Sequence, residues 1–201
     1  MPRSGGLTSA GCRCWAIALR FPWKKASLAR CVGIGSKGSD GMRLLVVLGE
    51  GGHTAEMLNL LDQLHVLRPD DEYHYLLTRE DPLSEQRIRI PGPAYRVPRP
   101  TYKEYGWLES IYRLLQAAME SWRIVRRVRP AVVLTSGPAV GVPPALWGKM
   151  LGARVIFIEN GARVREPSLT GRLMRYLADL YFVQWEPLLD AVPGAIFAGR
   201  L

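Results

Sequence analysis

From residue 43 onward the chain repeats one pattern: a short apolar run, a turn marked by glycine or proline, then a longer stretch whose apolar residues recur every three to four positions. Short apolar runs predict buried strands, the longer period predicts helices with one buried stripe, and their alternation predicts a parallel, doubly wound α/β sheet. The first strand is residues 43–48, and the helix after it carries Met57, Leu60, Leu61 and Leu64 on one stripe with Glu56, Asn59, Asp62 and Gln63 between them. A second strand follows at 73–78, and the Pro- and Arg-rich stretch 80–100 holds a short strand near 94–97. Residues 107–127 form the longest helical pattern, with Trp107, Ile111, Leu114, Leu115, Ala118, Trp122 and Val125 on one stripe and Pro130 as the stop. Strands at 131–135, 154–158, 180–184 and 196–198 then alternate with helices at 141–150 and 169–178. These elements amount to one Rossmann-like half, too little chain for two. No apolar run reaches the roughly 20 residues that a bilayer-crossing helix needs.

Composition changes this picture in one respect. With 201 residues, 48% of them apolar and 22% charged, the chain is ordinary for a globular protein, and a single core needs neither disulfides nor a structural metal. The net charge of +9, however, is unevenly spread. Of 27 Lys/Arg and 18 acids, residues 1–41 hold seven and one, leaving twenty and seventeen for the remainder. Residues 1–41 therefore read as a basic N-terminal extension, expected to be disordered, and residues 42–201 as the folded domain. A Trp-bearing arm lying on an anionic membrane is the alternative for the extension, each Lys or Arg adding about 1 kcal/mol. Its apolar patch is too short and too broken for a secretory signal. Cys12, Cys14 and Cys31 all lie there, too few and too closely spaced for zinc, so no metal site is expected. Nucleic-acid binding is excluded as an expectation, because most of the charge sits in the extension and no recognition motif accompanies it.

Ligands of open α/β sheets bind beyond the carboxyl ends of the strands, so the polar residues there are the candidates. After strand one comes Gly49-Glu50-Gly51-Gly52-His53-Thr54, opening a helix. Glycines admit an anion to the backbone, the helix N-terminus offers free N–H groups, Thr54 can donate a hydroxyl, and His53 can act as general base or hold a diphosphate oxygen. The plainer alternative is a tight turn with His53 capping the helix. Ser136-Gly137-Pro138 can line the same cleft or simply turn the chain. Glu159-Asn160-Gly161-Ala162-Arg163 offers an acid/base carboxylate, or else a helix-capping acid paired with Arg163 or Arg165. Arg123, Arg126, Arg127 and Arg129, with Trp107 and Trp122, suit either a helix C-terminus or a membrane interface.

Taken together, Gly49-x-Gly51-Gly52-His53-Thr54-x-Glu56, Ser136-Gly137-Pro138, Glu159-x-x-x-Arg163-Val164, Ser168-Leu169-x-Gly171 and Ala178-Asp179-x-x-x-Val183-Gln184-Trp185 resemble the Alg-fourteen/PssD group. That group forms the acceptor-binding half of a two-chain GT-B glycosyltransferase and is similar to the N-terminal domain of MurG. The resemblance implies a membrane-associated subunit of a UDP-N-acetylglucosamine transferase-like enzyme, inactive without its partner, in lipid-linked oligosaccharide or exopolysaccharide assembly. It would hold a lipid-pyrophosphate-linked acceptor at the cytoplasmic face of the membrane, attached peripherally since the N-terminal anchor of eukaryotic members has no counterpart here. It would recruit a donor-binding chain of the Alg-thirteen/PssE kind and use no cofactor. Gly49, Gly51, Gly52, His53 and Thr54 would face the acceptor diphosphate, and His53 and Glu159 would be the catalytic pair. Ser136, Gly137, Pro138, Asn160, Gly161 and Arg163 would line the interdomain cleft, and Trp107, Trp122, Arg123, Arg126 and Arg127 would meet the membrane. Glu50 stands where eukaryotic members carry a small hydroxyl residue, and because a carboxylate repels a diphosphate, either Glu50 points away or the anion role of the loop is weaker. Asn160 replaces the usual Ser. A non-catalytic membrane-recruiting scaffold and a self-sufficient nucleotide-sugar enzyme are the rival readings. The latter is disfavoured because Thr78-Arg79, not an acidic ribose-binding residue, follows strand two.

Overall fold

The computed structural model describes residues 41–100 and 106–201, so the extension expected at 1–41 lies, apart from Gly41, outside the described residues. The strands are β1 (Arg43–Val47), β2 (Glu72–Thr78), β3 (Ala94–Val97), β4 (Val132–Ser136), β5 (Arg154–Ile158), β6 (Leu180–Val183) and β7 (Ile196–Phe197). Between them lie α1 (Gly52–Leu67), α2 (Pro82–Gln86), α3 (Trp107–Val128), α4 (Val142–Met150), α5 (Leu169–Leu177) and α6 (Leu188–Ala191). All strands pair in parallel in the order β3-β2-β1-β4-β5-β6-β7, so the winding reverses between β1 and β4. The expected doubly wound Rossmann-like sheet is what forms, with a crevice at the reversal.

Alternation along each strand divides the core in two. Leu44 and Val46 of β1 pack with Met57, Leu60 and Leu61 of α1 on one face. Leu45 and Val47 pack with Val125 of α3, Ala145 of α4 and Met174 of α5 on the other. Covered on both sides, the strands can be apolar throughout, which is why they read as unbroken runs rather than alternating ones.

Several details differ from the sequence pattern. The strand expected at 43–48 ends at Val47, and Leu48 follows it into the core with its N–H on Leu76 O at 2.9 Å. The strand expected at 131–135 is shifted to Val132–Ser136. Helix α2 was hidden in the Pro-rich stretch, although Asp81 accepts from the N–H groups of Leu83 and Ser84 and Pro82 opens the first turn, a standard N-terminal signature. The largest difference is α3. Of the expected stripe only Val125 is buried; the buried face is instead Ala117, Ser121, Val125 and Val128, whereas Trp107 is 72% and Leu115 63% exposed. A 22-residue helix is about 33 Å long, while strands of five to seven residues span about 17–24 Å. Among the described residues, the first half of α3 overruns the sheet without an apolar layer beneath it, Arg113 reaching back to Glu80 at 3.3 Å.

Helix α4 sits close to β4 because Gly148 has no side chain, and a Cβ there would meet Val133 Cγ2 at 2.5 Å. Its Trp147 donates to Ala118 O at 2.8 Å and meets Trp122 edge-on at 5.1 Å, tying α4 to α3. Gly148→Ala is expected to cost about 1–3 kcal/mol of stability, read from the urea unfolding midpoint, despite alanine's better helix propensity.

Candidate functional site

The loops after β1, β4 and β5 leave the sheet side by side at the reversal, and they converge on His53. Gly51 takes the left-handed φ of 62° that turns the chain into α1, serves as its N-cap, and leaves the first turn without a side-chain cap. The alternative of His53 as the helix cap is therefore excluded; it stands one residue inside the helix. Its imidazole lies over Gly137, itself at φ 57°, where a Cβ would fall within the ring. Gly49 is similarly confined, since a Cβ there would meet Pro138 Cγ at 2.7 Å. From the β5 side, Asn160 Nδ2 stands 3.1 Å from His53 Nε2 and 3.4 Å from Nδ1. Asn160 Oδ1 is engaged by the N–H of Ala162 at 2.8 Å, so the amide nitrogen is the group turned to the ring. A neutral imidazole offers that donor an acceptor in either tautomer, whereas an imidazolium offers none. Beside His53 opens a cavity of about 170 Å³, walled by Gly49, Glu50, Thr78, Arg99 and Pro138 among others.

Other expected site residues are turned elsewhere. Thr54 is fully buried and its hydroxyl donates back to Gly49 O, with Ser84 Oγ at 2.7 Å. It braces the glycine loop from below instead of facing an anion. Glu159 is also fully buried, and its carboxylate does not face the cleft. Oε2 accepts from Tyr181 Oη at 2.8 Å, Ser168 N at 3.1 Å and Ser168 Oγ at 3.3 Å, and Oε1 from Asn160 N at 3.1 Å. Strand β5 delivers this carboxylate to the start of α5, where Ser168 is the N-cap, so Glu159 is a positioning residue and its partners are neither Arg163 nor Arg165. Ser136 is 1% exposed beneath its turn, Gly137 and Pro138 reach His53 and the cavity, and Arg163 is exposed. Glu50, by contrast, does not point away: it lines the same cavity as Gly49 and His53, where it pairs with Arg99 and accepts from Thr78 Oγ1 at 3.2 Å.

Residues that the motif pattern named without a role prove to be brackets. Gln184 Nε2 donates to Glu159 O at 3.1 Å and Glu56 Oε2 at 3.2 Å, while its Oε1 accepts from Leu201 N at 3.0 Å. Trp185 Nε1 donates to Gly161 O at 2.6 Å, and Arg200 stacks on its ring at 4.2 Å. Arg99 was missed altogether, since one Arg among many in a loop carries no spacing signal. Among the described residues no group of three or more His, Cys, Asp or Glu is placed to hold a metal, and no helix is long and apolar enough to cross a membrane.

Against known families, residues 44–201 match the model described as "Oligosaccharide biosynthesis protein Alg14 like". The chain belongs to this family. Among curated proteins, the UDP-N-acetylglucosamine transferase subunit ALG14 of Mus musculus is 29% identical over 81% of this chain and 84% of its own length. The subunit of the same name from Schizosaccharomyces pombe is 30% identical over 78% and 81%. Among solved structures, Acinetobacter baumannii MurG aligns with TM-score 0.64 at 17% identity, covering 80% of this chain and 46% of MurG. The UDP-GlcNAc 2-epimerase of Neisseria meningitidis aligns with TM-score 0.60 at 17% identity, over 79% of this chain and 47% of the enzyme. This chain thus spans about half the length of the solved structures it matches.

In this Alg14-like chain burial holds His53 below the ordinary histidine range, opposed by the nearby charges of Glu56 and Glu159. At neutral pH the ring is uncharged and able to accept a proton. Unfolding frees it to protonate from about pH 6.5 downward, so its contribution to stability is complete above that value and is lost as pH falls toward the folded value. His74, also lowered by burial, acts in the same direction. Urea midpoints are expected to drop as pH falls below about 6.5. The drop should shrink in His53→Gln and again when His74→Gln is added. Gly137→Ala is expected to expel the imidazole and move the His53 ring signals toward free-histidine titration by NMR.

Proposed function

We propose that this chain is the acceptor-binding subunit of a two-chain transferase that moves N-acetylglucosamine from UDP-N-acetylglucosamine onto a lipid-pyrophosphate-linked acceptor. On this reading residues 42–201 form the acceptor-binding domain behind a separate N-terminal extension. The observation that carries the proposal is the convergence of three strand-end loops on one neutral, half-buried histidine in a chain with a single Rossmann-like domain. A GT-B site lies between two such domains and the curated relatives are named as transferase subunits, so on this reading a donor-binding chain of the Alg-thirteen kind completes the site and the subunit is inactive without it.

His53 then acts as general base. It takes the proton from the acceptor hydroxyl as that oxygen bonds to the anomeric carbon, and UDP departs with the electrons of the broken glycosyl bond. Asn160 orients the ring, and Gly51 and Gly52, exposed with open space around them, leave the backbone free to approach the acceptor diphosphate, while Gly49 is packed against Pro138 and His53.

The overrunning half of α3 supports peripheral attachment to the anionic, cytoplasmic membrane face. Trp107, Leu108, Ile111 and Leu115 are exposed, and Arg123, Arg126 and Arg127 have no acidic partner among the described residues. Apolar side chains followed by guanidinium groups without an acidic partner suit lipid tails and phosphates. Trp122, packed against Trp147, braces the helix from behind.

Transfer of labelled sugar by the chain together with a co-expressed donor subunit tests the catalytic reading. His53→Ala is expected to lower the rate about 100-fold or more without moving the melting midpoint by more than a few degrees. Full activity in that variant would leave a scaffold. In flotation with phosphatidylserine vesicles, Ile111→Asp with Leu115→Asp is expected to release the protein, and unchanged flotation would place the contact elsewhere.

A further inference from the structure

The cavity beside His53 is walled on one side by a charged pair that the transfer step above does not employ. Glu50 comes from the loop between β1 and α1 and Arg99 from the loop after β3, two positions along the sheet, and they meet as an ion pair in that wall. The arginine side chain is 19% exposed and that of the glutamate 41%. Arg99 is anchored through its backbone, whose N–H donates to Glu80 Oε2 at 3.1 Å. Glu80 is itself met by Arg113 Nη1 at 3.3 Å. On its other oxygen, Glu50 accepts from Thr78 Oγ1 at 3.2 Å. The carboxylate is thus held by a guanidinium and a hydroxyl, both donors. It stands next to a helix whose first turn carries no acid and no side-chain cap.

A guanidinium and a hydroxyl are the donors a phosphoryl group also seeks, and the planar fork of arginine fits phosphate as well as carboxylate. We infer that Arg99 and Thr78 form an anion subsite for one phosphoryl group of a diphosphate, and that Glu50 is its resident counter-ion, displaced when the ligand enters. The inference rests on the reading above, in which the ligand is the acceptor diphosphate, and names the side chains that hold it. It also accounts for a carboxylate in a loop meant for an anion. Before a ligand enters, Glu50 balances the charge of a partly buried arginine. A lone phosphate, with a charge of about −1.5 to −2 at neutral pH, gains little by exchanging places with it, whereas a diphosphate keeps a second charged phosphoryl group beside the free N–H groups of the α1 N-terminus and outcompetes it. The pair therefore selects diphosphate over monophosphate.

Pyrophosphate binding by the full chain tests this without any transfer reaction. Inorganic pyrophosphate and, separately, inorganic phosphate are titrated at low ionic strength and followed by calorimetry. Pyrophosphate is expected to bind in preference to phosphate. Glu50→Gln should bind pyrophosphate about tenfold more tightly and discriminate less, Arg99→Gln should lose about tenfold or more, and Arg99→Lys should fall between. Should Arg99→Gln fail to fold, Glu50→Gln decides alone, and unchanged or weaker binding there overturns the inference. Equal binding of phosphate and pyrophosphate by the wild type, or no binding of either, overturns it as well. Competition against bound pyrophosphate separates the two sources of a diphosphate. Farnesyl diphosphate displacing it better than UDP supports the lipid-linked acceptor, and the reverse order overturns that assignment. A wrong transferase reading shows itself separately, through full activity in His53→Ala, while pyrophosphate binding responds only to the subsite.

Discussion

A carboxylate sealed from water at the end of β5 sets much of the arrangement around it. Burying a charge without partners is prohibitively unfavourable, so the chain must bring donors to Glu159, and it brings them from three elements. Ser168 supplies an N–H and a hydroxyl from the start of α5, Tyr181 a hydroxyl from β6, and Asn160 its own N–H from the loop that reaches His53. Burial and the adjacent carboxylate in turn push the Tyr181 hydroxyl far above the ordinary tyrosine range, so it remains a donor at any pH the fold meets. Gly171 is small because a Cβ there would fall on the carboxylate oxygen. Remove the carboxylate and α5, β6 and the loop carrying Asn160 lose their common point.

The same economy governs the other loops. Thr54 and Ser84 brace Gly49 from beneath, Gly137 clears a place for an imidazole, and Gln184 and Trp185 hold the 159–161 loop against α1 and the 199–201 segment. Polar side chains near the strand ends thus divide into those that hold backbone and those left facing the opening. His53 belongs to the second group, and so do Glu50 and Arg99, whose opposite charges hold each other at the cavity wall.

On the far face, the length of α3 exceeds that of the strands it covers. Its second half completes a core, and its first half presents tryptophan, leucine and isoleucine to whatever lies outside. A helix that satisfies two environments in sequence cannot show a single stripe, and this is why the pattern through Trp107, Ile111, Leu115 and Val125 suggested more burial than occurs.

While the short helices α2 and α6 and the strand order came from the structure, the sequence alone determined the kind and order of the longer elements, the parallel doubly wound class of the sheet, and the three loops where chemistry collects. These follow from local periodicity and from glycine and proline, whose effects are confined to neighbouring residues. Family membership was legible as well, because motif spacing survives in the linear chain. What tertiary structure decided is the direction of each polar side chain. Glu159 looked like a cleft acid and is a buried anchor, Thr54 looked like an anion donor and is a brace, and Arg99 gave no sign of meeting Glu50. Asn160 meets His53 across 107 positions and Gln184 meets Glu56 across 128. No periodicity records such pairings, because the requirement that a buried polar group find a partner is met by whichever residue the packed fold brings near.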